Sequence, residues 1–235
     1  MGVRIEADQQ KILNCFIQTK GFYLMGPITF PSGRKGPFNI DTMTVLSDPV
    51  RAEIIGQALG QQVKKLGVDL IIGIVNAGFP LATLASHYSG VPFGYVRKEV
   101  DQRTGEFLQG QHFNKKKAVL IDDIIGQGGT KDKILKNLGH RFIIKDLIVM
   151  LDGGVGYQKV MAEWEKSSGV TINYLVRWDE VTEVMLKAKT IPQPVGEMMV
   201  DYLKDPNTWQ VDDKRWQKFE EFRNKYNYKL AEPII

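Results

Sequence analysis

A single cysteine, Cys15, stands in a chain of 235 residues. That scarcity excludes an internal disulfide and any thiolate cluster for zinc, and it agrees with a reducing compartment. Histidine is almost as rare. His87, His112 and His140 are far apart, with no His-x-x-x-His pair and no acid at metal-ligand spacing, so each reads as a surface or packing residue. No serine sits in a Gly-x-Ser-x-Gly elbow, which removes that hydrolase pattern. Long apolar runs are missing too: the stretches richest in aliphatic residues, such as Leu70 to Val75, are far too short to span a bilayer. The start of the chain lacks the basic-then-apolar pattern of a secretion signal, so the expected address is the cytoplasm, with no membrane partner. Charge of one sign is also lacking: 31 Lys and Arg against 27 Asp and Glu leave a net +4. The one basic run, Lys115 to Lys117, has no interleaved aromatics and reads as a solvated loop, so an anionic small molecule is expected before a nucleic acid.

What is present suffices for a full core, with 43% hydrophobic and 25% charged residues. Apolar runs of strand length recur at Asp69 to Val75, Pro92 to Val96, Ala118 to Ile121, Asp146 to Leu151 and Thr171 to Val176. Between most of them lie amphipathic stretches with helical spacing, at Pro49 to Leu66, Pro80 to Tyr88, Thr130 to Leu138 and Gly156 to Lys166. Strands apolar at successive positions need cover on both faces, which helical crossovers supply. The expected fold class is therefore α/β, with a mostly parallel central sheet flanked by helices. After about Ile191 the chain changes character, with "PQPVG" and then a stretch dense in aromatic and charged residues from Trp209 to Tyr228. This predicts a main domain over 1–190, carrying a small N-terminal hood over 1–45, and a helical C-terminal extension over 191–235. Trp209, Trp216, Phe219, Phe222 and Tyr226 recur at near-helical spacing, which favours packing or an oligomer contact.

The stretch "VLIDDIIGQGGTK", residues 119–131, carries the most chemistry. Gly126, Gly128 and Gly129 permit a tight turn whose backbone amides face inward, and a helix then opens, so a phosphate would meet a ring of donors and a positive helix end. A dinucleotide fingerprint would need glycine at Lys131, and a P-loop would need Gly-Lys-Ser/Thr where "GGTK" stands. Asp122 and Asp123 would repel a phosphate unless they face hydroxyls or a hydrated cation, and a ribose phosphate with magnesium supplies both. The bland reading is a strand-end acid followed by a turn; an acid pair set directly between strand and glycine-rich turn favours function.

These residues carry a family resemblance. "VLIDDIIGQGGT" resembles the phosphoribosyl-pyrophosphate (PRPP) signature of the type I phosphoribosyltransferases, and the surrounding text resembles the orotate phosphoribosyltransferases. "ITFPSGRKGPFNID" (Ile28 to Asp41) is similar to that family's N-terminal substrate segment, "DLIIGIVNAGFPLAT" (Asp69 to Thr83) to its pyrophosphate-side loop, and "GYVRKE" (Gly94 to Glu99) to the strand entering its catalytic loop. The resemblance implies transfer of a phosphoribosyl group from PRPP to a nucleobase, with release of pyrophosphate, Mg2+ as cofactor and a homodimer. It implies that Asp122 and Asp123 hold the ribose hydroxyls, directly or through magnesium's water with no direct metal ligand, while Ile124, Ile125, Gly126, Gln127, Gly128, Gly129 and Thr130 line the 5′-phosphate turn. Arg97 and Lys98 would meet the pyrophosphate, with Asn76, Ala77 and Gly78 presenting backbone on its other side.

The departures bear on the acceptor base. Where the family keeps a loop lysine, then histidine and glycine, this chain has Asp101, Arg103 and Thr104 or Gly105, which leaves Arg103 as the loop's catalytic cation. Pro31 replaces a family lysine and Gly153 a family arginine, both of which serve the acidic pyrimidine; the phosphate turn's paired threonines are Gly126 and Gln127. Each lost charge-assisted contact costs about 1.5–3 kcal/mol, so the acceptor is expected to be either an orotate-type base or one shifted towards uncharged rings, which should compete with orotate better than in an ordinary family member. Arg34, Phe38 and Gly153 are the base-side residues: Arg34 to take the anionic role, Phe38 to cover the ring, and Gly153 as the place where an arginine would restore the lost charge. The rival expectation is a PRPP-binding regulatory protein that has lost turnover, which Asp101 favours. A DNA-binding regulator would want a basic helix-turn-helix, and none precedes Tyr23.

Overall fold

A computed structural model describes residues 2–30, 33–97, 106–110, 116–126, 128–138, 140–229 and 233–234. Pro31, Lys98, Asp101, Arg103, His112 and Gln127 lie outside the described residues. In chain order the elements are β1 (Val3–Arg4), α1 (Gln9–Ile17), β2 (Tyr23–Thr29), β3 (Lys35–Ile40), α2 (Thr42–Leu46), α3 (Pro49–Leu66), β4 (Leu70–Ile74), α4 (Gly78–Ser89), β5 (Phe93–Val96), β6 (Leu108–Gly110), β7 (Lys117–Ile125), α5 (Gly129–Leu138), β8 (Ile143–Asp152), α6 (Gln158–Ser168), β9 (Thr171–Arg177), α7 (Trp178–Lys187), α8 (Gln193–Lys204) and α9 (Asp213–Lys225).

The seven-stranded sheet has the order β1-β9-β8-β7-β4-β5-β6 and is parallel except where β6 meets β5. The expected α/β fold class is the one observed. Because side chains alternate across a strand, each central strand feeds two cores. Ile71, Val119, Ile121, Ile148 and Leu175 join one, together with residues of α1, α3, α4, α7 and α8. Leu70, Ile72, Leu120, Leu147 and Ile172 join the other, under α5 and α6. Every residue of β4 is buried. This explains the unbroken apolar runs in the sequence.

Local chemistry sets the helix bounds. Asp48 accepts from the Arg51 N–H and Pro49 opens the first turn of α3, while Gly67, at φ 60°, ends it in the left-handed conformation. The helix expected over Gly156 to Lys166 begins instead with a 3-10 turn at Val155–Tyr157 and runs on to Ser168. Strand β4 is followed in sequence by β5 on one side of it, whereas β7 lies on its other side. The order therefore reverses between β4 and β7, and the crevice at their carboxyl ends is the place where such folds bind ligands.

Outside this sheet, β2 and β3 form an antiparallel hairpin. Residues from 191 onwards pack onto it. Aromatic rings meet edge to face in a series running Tyr202, Trp209, Trp216, Phe219 and Phe38, and the Ile234 N–H donates to the Tyr23 carbonyl at 2.9 Å. Trp209 and Phe219 are both buried, so the aromatic stripe is packing within the chain. No described helix is long and apolar enough to cross a membrane.

Candidate active site

The acid pair stands at the carboxyl end of β7, where the strand leaves the core. The structure gives its two members different surroundings. Asp122 is buried, 7% exposed. Its Oδ2 lies 2.8 Å from Lys131 Nζ, which reaches back from the first turn of α5 and also donates to the Ile124 carbonyl at 2.8 Å. Asp122 Oδ1 accepts from the Asp123 N–H at 2.9 Å. Burial pushes the Asp122 carboxyl up to about 6, and the neighbouring Asp123 adds to this, while Lys131 works in the opposite direction. Asp123 is half-buried: its Oδ1 accepts from the Ile124 N–H at 2.9 Å, and its Oδ2 from the Thr42 hydroxyl at 2.8 Å. Each Asp123 oxygen keeps a lone pair for a ligand. The two acids expected to hold the ribose hydroxyls together are thus divided into an inward one paired with lysine and an outward one.

The turn that follows is shaped by close approach. Gly128 has φ 78°, and a Cβ there would lie 2.3 Å from Trp164 Cδ1, so only glycine fits. Trp164 Nε1 donates to Asp132 Oδ1 at 2.7 Å, which holds the one acid of the α5 first turn against the indole. Among the described residues nothing lies within 4 Å of a Cβ placed on Gly129. The turn therefore offers room and a positive helix end, as a phosphate requires.

The segment Asn76-Ala77-Gly78 joins β4 to α4 and comes directly against this site. A Cβ on Gly78 would stand 2.3 Å from the Ile121 carbonyl oxygen and 3.2 Å from Asp122 Cα. Ala77 caps α4 without a side-chain hydrogen bond, so this helix too presents backbone donors at the crevice. Arg97 follows β5 on the next strand over; its Nη2 donates to Gln109 Oε1 at 3.2 Å, and its guanidinium lies 6.0 Å from the Tyr95 ring centre. The structure sets Gly78, at the start of α4, against Ile121 and Asp122, with Asp123, Ile124, Gly126, Gly128, Gly129 and Thr130 following along the chain and Arg97 after the neighbouring strand; Ile125, by contrast, is fully buried in the core under α5 and α6 and is not open to a ligand.

The base-side residues are placed differently from expectation. Phe38 is fully buried and packs edge to face on Phe219 at 5.9 Å, so its ring is a core ring and not a cover for a base. Gly153 has no room for a side chain, because a Cβ would stand 2.8 Å from the Ile125 carbonyl and 3.1 Å from Tyr157 Cδ2. Arg34 donates through Nη2 to the Pro206 carbonyl at 3.0 Å and to Asn207 Oδ1 at 2.5 Å.

Two functional neighbours escaped the sequence reading, Lys131 and Thr42. Lys131 had a legible signal: with Ile134 and Leu138 it forms the buried stripe of α5 at i, i+3 and i+7, so a lysine heads an apolar face just after two acids. Thr42 gave none, since its bond to Asp123 spans 81 residues of chain.

No family model matches the chain. It is 25% identical over 207 residues to the orotate phosphoribosyltransferase of Listeria monocytogenes (strain F2365), covering 86% of this chain and 98% of that one. Among solved structures, Leishmania donovani UMP synthase superposes with a TM-score of 0.69 at 20% identity, over 82% of this chain and 41% of that one. The Mycobacterium tuberculosis orotate phosphoribosyltransferase in complex with PRPP gives 0.56 at 11% identity, over 74% and 90%. The fold is that of the type I phosphoribosyltransferases. Within that fold, the sequence similarity over most of the chain is to the orotate phosphoribosyltransferases.

Proposed function

We propose that this chain transfers a phosphoribosyl group between PRPP and a nucleobase of the orotate type, releasing pyrophosphate. The observation that carries the proposal is the convergence, where the strand order reverses, of an outward carboxylate at Asp123, the open glycine turn before α5 and the backbone of Asn76 to Gly78. Loss of pyrophosphate from the anomeric carbon leaves positive charge on the ribose and negative charge on the leaving group, so the protein mainly has to position and stabilise charge. Asp123 accepts from the ribose hydroxyls, while Asp122, bonded to Lys131, fixes the end of β7 beneath it. Gly126 to Thr130 hold the 5′-phosphate through backbone N–H groups and the helix end. Arg97 and the start of α4 face the pyrophosphate, with Lys98 and Arg103 as the loop's further cations. Attack by the base nitrogen on the exposed carbon then completes the exchange.

Among the described residues no group of three or more His, Cys, Asp or Glu could hold a metal ion. The donor set fits magnesium carried on the oxygens of PRPP and meeting Asp123 through water, where it would neutralise charge on the departing pyrophosphate. The base-side cations Pro31 and Gly153 displace in the family pattern leave Arg34 to recognise an acidic ring, and the loop after Lys98 completes the site of a second copy in a homodimer. The test is pyrophosphate release from PRPP across pyrimidine, purine and pyridine bases. Turnover with orotate or a related base is the expected result. A protein that neither releases pyrophosphate with any base nor binds PRPP in calorimetry overturns the proposal.

A further inference from the structure

The C-terminal part of the chain reaches two of the residues assigned to the base, Arg34 and Phe38, and the loop that carries the third. It bonds Arg34 through the Pro206 carbonyl and the Asn207 amide oxygen, and it buries Phe38 under Phe219. It meets the Gly153 loop through the Tyr157 hydroxyl, which lies 3.2 Å from the Tyr202 hydroxyl. The fit is close. A Cβ on Gly156 would stand 2.5 Å from the Leu203 carbonyl and 2.4 Å from Pro206 Cδ, and one on Gly36 would stand 3.1 Å from the Tyr202 hydroxyl. The corner after α8 is therefore seated between the β8–α6 loop and the β2–β3 hairpin.

On the reading of the site given above, we propose that the Pro206–Asn207 corner is an intramolecular stand-in for the acidic group of the acceptor base, competing for Arg34 and so setting the preference between acidic and neutral rings. The two oxygens of the corner are acceptors of the kind a carboxylate presents, but they are dipoles without net charge. Both bonds come from the one nitrogen Nη2, so a carboxylate that takes a bidentate edge of the guanidinium must displace at least one of them. A neutral ring gains nothing from that exchange. The corner thus lowers affinity for an acidic base selectively, in addition to the loss of the family cations that Pro31 and Gly153 replace.

Asn207 is exposed, so Asn207→Ala disturbs no core. It removes one of the two bonds that occupy Nη2, and a hydrogen bond to a charged group accounts for roughly a tenfold change in affinity. The experiment is calorimetric titration of the full chain, in the presence of ribose 5-phosphate, with orotate and with uracil, which is the same ring without the carboxylate. Asn207→Ala should bind orotate about tenfold tighter with uracil unchanged, and the gain should vanish in Arg34→Ala/Asn207→Ala. Orotate affinity indifferent to Asn207, or uracil affinity moving in step with it, overturns the inference. If PRPP turnover is intact in that protein, only this inference falls; absence of both PRPP binding and turnover removes the parent reading and this one with it.

Discussion

Replacing Lys131 with methionine isolates the electrostatic design of the site. Lys131 is buried on the same stripe of α5 as Ile134 and Leu138, so methionine keeps much of the volume and removes the charge beside Asp122. In the native protein the Asp122 carboxyl is raised from 3.8 to about 6, chiefly by burial. Its folded value exceeds its unfolded one, so the native state binds the extra proton between those limits. Stability therefore falls as pH rises through that window, by about 3 kcal/mol once pH exceeds both values. Without Lys131 the buried carboxyl must stay protonated to remain inside, and keeping that proton costs a further 1.4 kcal/mol or so for each pH unit above about 6. The added penalty is close to nil at pH 5.5 and about 3 kcal/mol at pH 8. At about 2–4 °C per kcal/mol for a chain of this size, Tm at pH 8 should drop by roughly 6–12 °C beyond any drop at pH 5.5. Thermal melts at the two pH values measure this, with Asp122→Asn/Lys131→Met as the control that removes the carboxylate. The double variant should lose the pH-dependent part. Equal destabilisation of Lys131→Met at both values, or no relief in the double variant, would refute the ion-pair account.

Three further outcomes follow from the geometry. Asp123→Asn should weaken PRPP about ten- to a hundredfold by calorimetry while leaving Tm within a few degrees, because the proposed function has this carboxylate meet the ribose and its amide oxygen can still accept from Thr42. Gly153→Arg, which the sequence suggested as a way to restore a base-side guanidinium, should instead cost about 1–3 kcal/mol in denaturant unfolding, because a Cβ meets the Ile125 carbonyl at 2.8 Å; gained orotate affinity at unchanged stability would show that the loop yields. Light scattering of dilute protein should give the mass of two chains, since the reading of the loop after Lys98 requires a second copy, and an active strict monomer would exclude it.

The parts of the fold legible in the sequence were those written locally. Successive apolar positions in β4 and β7 announced strands covered on both faces, and the amphipathic spacing from Pro49 to Leu66 gave α3. The glycine turn and the acid pair could be placed at a strand end for the same reason, because period and turn chemistry act within a dozen residues. The base side was not legible, since its side chains are fixed by partners far along the chain. Phe38 looks like a ring free to cover a ligand until Phe219, 181 residues later, buries it. Arg34 looks like a spare cation until the corner at Pro206, 172 residues later, engages it.

Lys131 lies between these cases, and it answers the difficulty that the sequence posed. Two adjacent carboxylates beside a phosphate turn repel the ligand and each other, and a hydrated cation was one way to reconcile them. The protein supplies a cation of its own from the following helix. Its placement on the buried stripe of α5 sends the ammonium inward to Asp122 and leaves Asp123 with its donors from Thr42 and the Ile124 N–H. The inner acid consequently offsets the charge of a lysine and the outer one remains an acceptor. This division lets one strand end hold the start of α5 and, on the proposed reading, also present a carboxylate to a ribose. A neutral residue at 131 would leave the inner acid to resolve its burial by taking a proton, which is the state the melts of Lys131→Met are designed to detect.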